Sequence, residues 1–174
     1  TVGDVLNNGQ ESVLAYKWND HIMVIDSSGE ELWESPERYG GSLLFWDAPK
    51  DDRGQEENKK YFPLRLVVWQ NRAEKETEVI AITNHEFANR RLDFRMFTKT
   101  HIEAFTWDGI GLRPLWKTRT MKGYIQDYTV GDFDNDGQDE LVAALVIKAG
   151  RVVLLTEAKS TLIAYDLVRP EAKE

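Results

Sequence analysis

The chain has 174 residues, enough for one domain with a substantial core, and 41% of them are hydrophobic and 30% charged. Its net charge of -8 excludes a general attraction to nucleic-acid phosphates or anionic membranes, because both need clustered lysine and arginine. The absence of cysteine excludes disulfides and thiolate metal sites, and no apolar run approaches the roughly 20 residues of a membrane-spanning helix.

One sequence pattern occurs near both ends of the chain. The stretch from Val2 reads VGDVLNNGQESVLA, and the stretch from Val130 reads VGDFDNDGQDELVA, at an offset of 128 residues. A weaker copy from Val68, VWQNRAEKETEVIA, keeps only the hydrophobic positions. The aligned residues of the three copies are Ser12, Glu78 and Glu140, with spacings of 66 and 62. A period of about 64 residues indicates an array of similar units.

Each copy is followed by a second shared element. The stretches from His21 and His101 read as a strand, a glycine-containing turn and another strand, and the stretch from Thr161 supplies one more strand. Short runs of valine, isoleucine and aromatic residues between turn residues predict almost no helix. The highly charged stretch from Asp47 to Lys60 predicts a long loop between the first two units.

The segment from Asp132 to Glu140, DFDNDGQDE, has the composition of a calcium-binding loop. A hard divalent cation needs several converging oxygens, and alternating aspartates on a tight turn supply them. The predicted ligands are Asp132, Asp134, Asp136, Gln138 through its carbonyl, and Glu140. Asp139 is expected to point away or to bind through water. Calcium fits better than magnesium, which prefers near-ideal octahedral geometry with retained waters.

The EF-hand is the alternative context for such a loop, and it requires a bidentate glutamate at the twelfth position and a helix on each side. Here the twelfth position is Ala143, and both flanks read as strands. The sequence therefore predicts a calcium loop within a β-hairpin.

The other two copies lack the complete ligand set. In the copy that begins at Asp4, Leu6 replaces the second carboxylate, and Asn8 and Ser12 are weaker ligands. Whether that loop binds metal stays open. The middle copy contains Arg72 and Lys75, whose cationic side chains would repel a metal, so no site is expected there.

At these residues the sequence resembles the FG-GAP or VCBS repeat family, the β-propeller blades of integrin α-subunits and of many exported bacterial proteins. The resemblance covers nearly the whole chain, although only the copy from Val130 is a specific match. It implies an all-β fold of antiparallel four-stranded blades of a β-propeller, with about three units forming an incomplete ring or a fragment. The expected units of this single propeller-like region are residues 1–60, 61–123 and 124–174.

The resemblance implies a calcium-binding, non-catalytic module for protein or glycan interaction in an exported protein, located in the periplasm, at the cell surface or outside the cell. The alternative is an accessory propeller of a larger enzyme, such as a polysaccharide lyase or hydrolase. Neither a nucleophile elbow nor a zinc-protease motif is present in the sequence. Because fewer than three complete units cannot close a ring, the chain is expected to belong to a longer propeller or to self-associate through exposed sheet edges.

Tryptophans and histidines are the remaining candidates for sites. Trp33 and Trp116 occupy equivalent positions, which favours packing between units, and packing is also expected for Trp18, Trp69 and Trp107. Trp46, beside the charged stretch, is expected to be exposed. The three histidines, His21, His85 and His101, are scattered, and a shared structural role is expected for the first and last.

Overall fold

The computed structural model describes residues 1–47, 59–71, 74–87, 95–148 and 159–167. The prediction of an all-β chain with antiparallel sheets is confirmed, since no α-helix occurs in these residues and every strand pair within the sheets is antiparallel. Consequently no described helix is long and apolar enough to cross a membrane.

The strands form three main sheets and one small sheet. The first sheet has the order β1-β2-β3-β4, the middle sheet β10-β9-β8-β7 with β11 also on β9, the third sheet β12-β13-β14, and the small sheet β5-β6. The strands are β1 (Val2–Gly3), β2 (Ser12–Tyr16), β3 (His21–Ile25), β4 (Glu31–Arg38), β5 (Phe45–Asp47), β6 (Lys59–Tyr61), β7 (Val67–Asn71), β8 (Glu76–Glu86), β9 (Phe97–Trp107), β10 (Leu112–Lys117), β11 (Met121–Lys122), β12 (Tyr124–Gly131), β13 (Glu140–Lys148) and β14 (Lys159–Asp166).

The three sequence copies occupy the same place in the three main sheets. Each copy forms a hairpin, which supplies the first two strands of its sheet. The three hairpins are β1-β2, β7-β8 and β12-β13. The equivalent cross-strand pairs are Val2 with Val13, Val68 with Val79, and Val130 with Leu141. The register is identical although the middle copy keeps only the hydrophobic positions of the other two.

The middle sheet packs on the other two sheets through its opposite faces. On one face Val79 and Ala81 pack with Leu14 and Val24 of the first sheet. On the other face Ile80 and Ile82 pack with the third sheet. The run from Val79 to Ile82 is fully buried, because successive side chains of a strand point to opposite faces and both faces are covered. The two cores therefore join three stacked sheets.

The strands of the small sheet lie at the two ends of the predicted charged loop. Most of the charged stretch from Asp47 to Lys60 lies outside the described residues, and its two ends are strand residues of β5 and β6. These two strands pair with each other in antiparallel orientation.

Five of the six tryptophans lie where the sequence predicts. Trp33 packs in the core between the first and middle sheets, where a Cβ on Gly111 would lie 2.5 Å from its Nε1. Trp69, Trp116 and Trp107 also contact the cores, and Trp46 is exposed. The packing role predicted for Trp18 is wrong. This side chain is 94% exposed in the turn between β2 and β3, where none of the described sheets covers it.

The histidines make local hydrogen-bonding contacts. His21 Nδ1 lies 2.6 Å from the carbonyl oxygen of Ser35. His85 Nε2 lies 2.9 Å from Nδ1 of the buried His101, whose Nε2 is 3.4 Å from Glu103. Burial, followed by the nearby Lys117 ammonium, lowers the pKa of His101 to about 4, so its ring is neutral at pH 7.

Candidate metal centre

The acidic loop, residues 132–139, connects β12 to β13 at one end of the third sheet. Asp132, Asp134 and Asp136 each place one carboxylate oxygen within 4.8 Å of the others. All three side chains are exposed. Alternate positions along a tight turn thus bring together three of the five predicted ligand residues.

Backbone N–H groups hold these carboxylates in place. Gly137 donates its N–H to Asp132 Oδ2 at 3.1 Å, and the N–H of Asp136 donates to Asp134 Oδ1 at 3.1 Å. The N–H of Gln138 donates to Asp136 Oδ1 at 2.8 Å. Short acidic side chains that accept such bonds are typical of tight turns. The loop itself therefore fixes the orientation of the three carboxylates.

Two positive φ angles give the loop its path. Asn135 has φ 63° and Gly137 has φ 89°. Asparagine tolerates the left-handed region better than most residues, and glycine enters it without a Cβ penalty. The sequence N-D-G is thus the local reason that the chain reverses here.

The other two predicted ligand residues make different contacts. Glu140 is only 4% exposed, and its Oε2 accepts the N–H of Phe133 at 2.7 Å. The side-chain amide of Gln138 donates to Asp136 Oδ2 at 3.1 Å, and its carbonyl is the predicted ligand. Among the described residues, the carboxylates close enough to share one ion are those of the three aspartates. Glu140 thus links the two ends of the loop.

A contact from the middle sheet reaches the acidic loop. The indole N–H of Trp69 donates to Asp139 Oδ2 at 2.8 Å. The N–H of Leu167, just after β14, donates to the carbonyl of Asp139 at 3.2 Å. Asp139 is therefore anchored to neighbouring elements. Sequence reasoning missed this role of Trp69, and the available signal is that tryptophan occurs where the other two copies have Gly3 and Gly131.

The Asp4 loop, residues 4–11, shares features of its turn with the acidic loop. Gly9 donates its N–H to Asp4 Oδ2 at 2.9 Å, as Gly137 does to Asp132. Asn7 and Gly9 have φ 54° and 79° at the positions of Asn135 and Gly137. Since this loop lacks the second and third carboxylates, its conformation is encoded by the asparagine, the glycine and the first aspartate.

The middle copy retains two features of the same turn. Lys75 has φ 53° at the position of the two glycines. Glu78, equivalent to Glu140, is 1% exposed and accepts hydrogen bonds from Asn71 Nδ2 at 3.0 Å and Trp116 Nε1 at 2.9 Å. Arg72 lies outside the described residues. A buried glutamate at this position thus has a structural role in two sheets.

The chemistry of the acidic loop is that of a hard-cation site. Three aspartates bring three formal negative charges together, and mutual repulsion favours a counter-ion between them. Carboxylate and carbonyl oxygens are the ligands that Ca²⁺ prefers, at 2.3–2.6 Å and in flexible geometry. Neither thiolate nor imidazole belongs to this group of side chains. The loop is therefore suited to a hard divalent cation.

Neither a protein-family model, nor a curated protein, nor a solved structure matches this chain. The resemblance to propeller repeats therefore stays a prediction, carried by the motif of the acidic loop and by the common register of the three hairpins.

Proposed function

We propose that this chain is a calcium-binding, non-catalytic β-propeller repeat module for protein or glycan interaction in an exported or cell-envelope protein. The observation that carries the proposal is the cluster formed by Asp132, Asp134 and Asp136 at the end of a repeated strand hairpin. Gln138 would add its carbonyl, and the buried Glu140 would hold the loop through its hydrogen bond with the N–H of Phe133.

The stacked sheets support the propeller part of the proposal. Successive blades of a propeller are meandering antiparallel sheets that pack face to face. In this chain the first sheet is such a meander, with the order β1-β2-β3-β4, and the middle sheet covers the first and third sheets with opposite faces. Equivalent cross-strand pairs in all three hairpins indicate one repeated unit.

The acidic loop gives calcium a structural role in this module. An ion held by three aspartates would neutralise their repulsion and fix the turn between β12 and β13. Because Trp69 bonds to Asp139, ordering the loop would also strengthen the contact between the middle and third sheets. The loops at the sheet ends, including the exposed Trp18, then provide surface for a protein or glycan partner.

Calorimetric titration tests the metal site. One calcium ion is expected to bind per chain, more tightly than magnesium. At a free calcium concentration of 100 times the dissociation constant, binding stabilises the fold by about 2.7 kcal/mol. The Asp134→Asn variant is expected to weaken calcium binding at least about tenfold, because it removes one ligand charge.

The matched control is Asp26→Asn. Asp26 also accepts backbone N–H groups in an exposed turn, from Ser28 and Glu30, but it is not part of the aspartate cluster, so calcium binding is expected to be unchanged. An unchanged melting temperature and no binding heat at about 10 mM calcium, above the dissociation constants of weak extracellular calcium modules, would contradict the proposal.

A further inference from the structure

Within the described residues, the first and third sheets each leave open a face that the repeat covers elsewhere. Val13 in β2 has the repeat position of Val79 in β8 and Leu141 in β13, and those two side chains face the preceding sheet and are 0% exposed. Val13 is 38% exposed. Its cross-strand partner Ile25 lies on the same face. The first sheet thus presents the face that would meet a preceding sheet.

The third sheet leaves its opposite face open. Val142 has the repeat position of Leu14 and Ile80, which face the following sheet and are 0% exposed. Val142 is only partly buried, and Leu162, paired with Ala144 on the same face, is 65% exposed. The third sheet thus presents the face that would meet a following sheet.

Two equivalent glycines, Gly3 and Gly131, show that the open face of the third sheet keeps the shape that the first sheet uses to contact the middle sheet. A Cβ at Gly3 would lie 2.7 Å from Cγ1 of Val68, so the first sheet approaches the middle sheet closely at this point. Gly131 is the repeat equivalent of Gly3, and a Cβ there would meet no atom of the described residues within 4 Å. The equivalent of Val68 is Val2, which is 55% exposed in the first sheet. Each half of this close contact is therefore present at an open face.

The same correspondence holds for a hydrogen bond between sheets. Asn7 Oδ1 accepts the N–H of Thr77 at 2.7 Å, which links the Asp4 loop to the middle sheet. The repeat equivalents are Asn135, exposed in the acidic loop with φ 63°, and Glu11 in the Asp4 loop. The third sheet therefore carries the acceptor, and the first sheet the donor, of the contact that joins the first sheet to the middle sheet.

We propose that two copies of this chain associate head to tail, with the open face of the third sheet of one copy packed on the open face of the first sheet of the other. A second copy covers both open faces at once. The apolar side chains, the glycine-to-valine contact and the asparagine hydrogen bond would then meet in the register that joins the first sheet to the middle sheet. Such an interface is heterologous and closes into a ring where the rotation permits. Two copies would place six main sheets in one ring, within the range of about 4 to 8 blades for propellers.

Sedimentation velocity over a wide range of protein concentration tests the proposal. The parent chain is expected to associate as concentration rises. Val13→Glu on the first sheet and Leu162→Glu on the third sheet are each expected to weaken association at least about 100-fold, because each buries an unpaired charge. A mixture of the two variants is expected to associate again, since the intact third sheet of the first variant fits the intact first sheet of the second.

Gly131→Val separates association from folding. Its side chain would meet no atom of the described part of its own copy, so the melting temperature of the dilute variant is expected to match that of the parent, whereas association is lost because Val2 of the second copy occupies that space. Ile110→Glu, at a position 86% exposed in the turn between β9 and β10, is the matched control and is expected to associate normally.

Three results would overturn the proposal: a parent chain that stays monomeric, a mixture of the two glutamate variants that stays monomeric, or normal association of either glutamate variant alone. The last result is expected for a symmetric interface in which one face packs on itself. Measurements in calcium and in chelator keep this test independent of the metal site.

Discussion

The Ile80→Ala variant is expected to lose about 2–5 kcal/mol of unfolding free energy, the range for isoleucine truncation in a packed core. Ile80 is 0% exposed, lies in β8 and packs in the core shared by the middle and third sheets. Because that core joins two sheets, the cavity would weaken their packing as well as the strand itself. Urea unfolding followed by circular dichroism measures the loss.

Ile110→Ala is the matched control for this truncation. The side chain of Ile110 is 86% exposed, so its removal is expected to change the unfolding free energy by less than about 0.5 kcal/mol. Equal effects of the two alanine variants would contradict the placement of Ile80 between the sheets.

The Asn84→Ala variant is expected to lose about 3 kcal/mol, since it leaves buried backbone groups without partners at a cost of about 1–3 kcal/mol each. Asn84 Nδ2 donates to the carbonyls of Gly41 at 2.7 Å and Ile125 at 2.9 Å, and Asn84 Oδ1 accepts the N–H of Ile125 at 3.0 Å. This side chain therefore ties β12 of the third sheet to β8 of the middle sheet. Thermal and urea unfolding measure the change.

Asn8→Ala provides the comparison for an asparagine whose hydrogen bond is exposed. Asn8 Oδ1 accepts the exposed N–H of Gln10, at 2.9 Å, and water replaces it readily, so a loss of at most about 1 kcal/mol is expected. A loss for Asn84→Ala no larger than for Asn8→Ala would show that Asn84 does not join the two sheets.

The strands and their register follow from local sequence. The short runs of valine, isoleucine and leucine in the three copies predict the strands, and the asparagine and glycine of the Asp4 loop and of the acidic loop predict two of the turns. The packing of Trp18 was predicted wrongly because a tryptophan in a turn carries the same hydrophobic signal as one in a strand. Only the arrangement of sheets decides which tryptophan is covered.

Contacts between sheets account for the features that the sequence does not reveal. Asn84 meets Ile125 across 41 residues, and Trp69 meets Asp139 across 70. Neither pair follows the repeat period. The tryptophan in place of Gly3 and Gly131 marks position 69 as different from its equivalents, but it does not identify Asp139 as the partner. The three aspartates of the acidic loop could be predicted because their spacing is local. The contact between Glu140 and Phe133 depends instead on how deeply Glu140, the first residue of β13, is buried.

The hydrogen bond between Trp69 and Asp139 has a spectroscopic consequence. The emission of an indole responds to the polarity and hydrogen bonding of its ring nitrogen, and the Trp69 nitrogen lies 2.8 Å from a carboxylate oxygen of the acidic loop. A rearrangement of the loop therefore alters the surroundings of a chromophore in the middle sheet. The protein thus contains an intrinsic fluorescent reporter for its candidate metal centre.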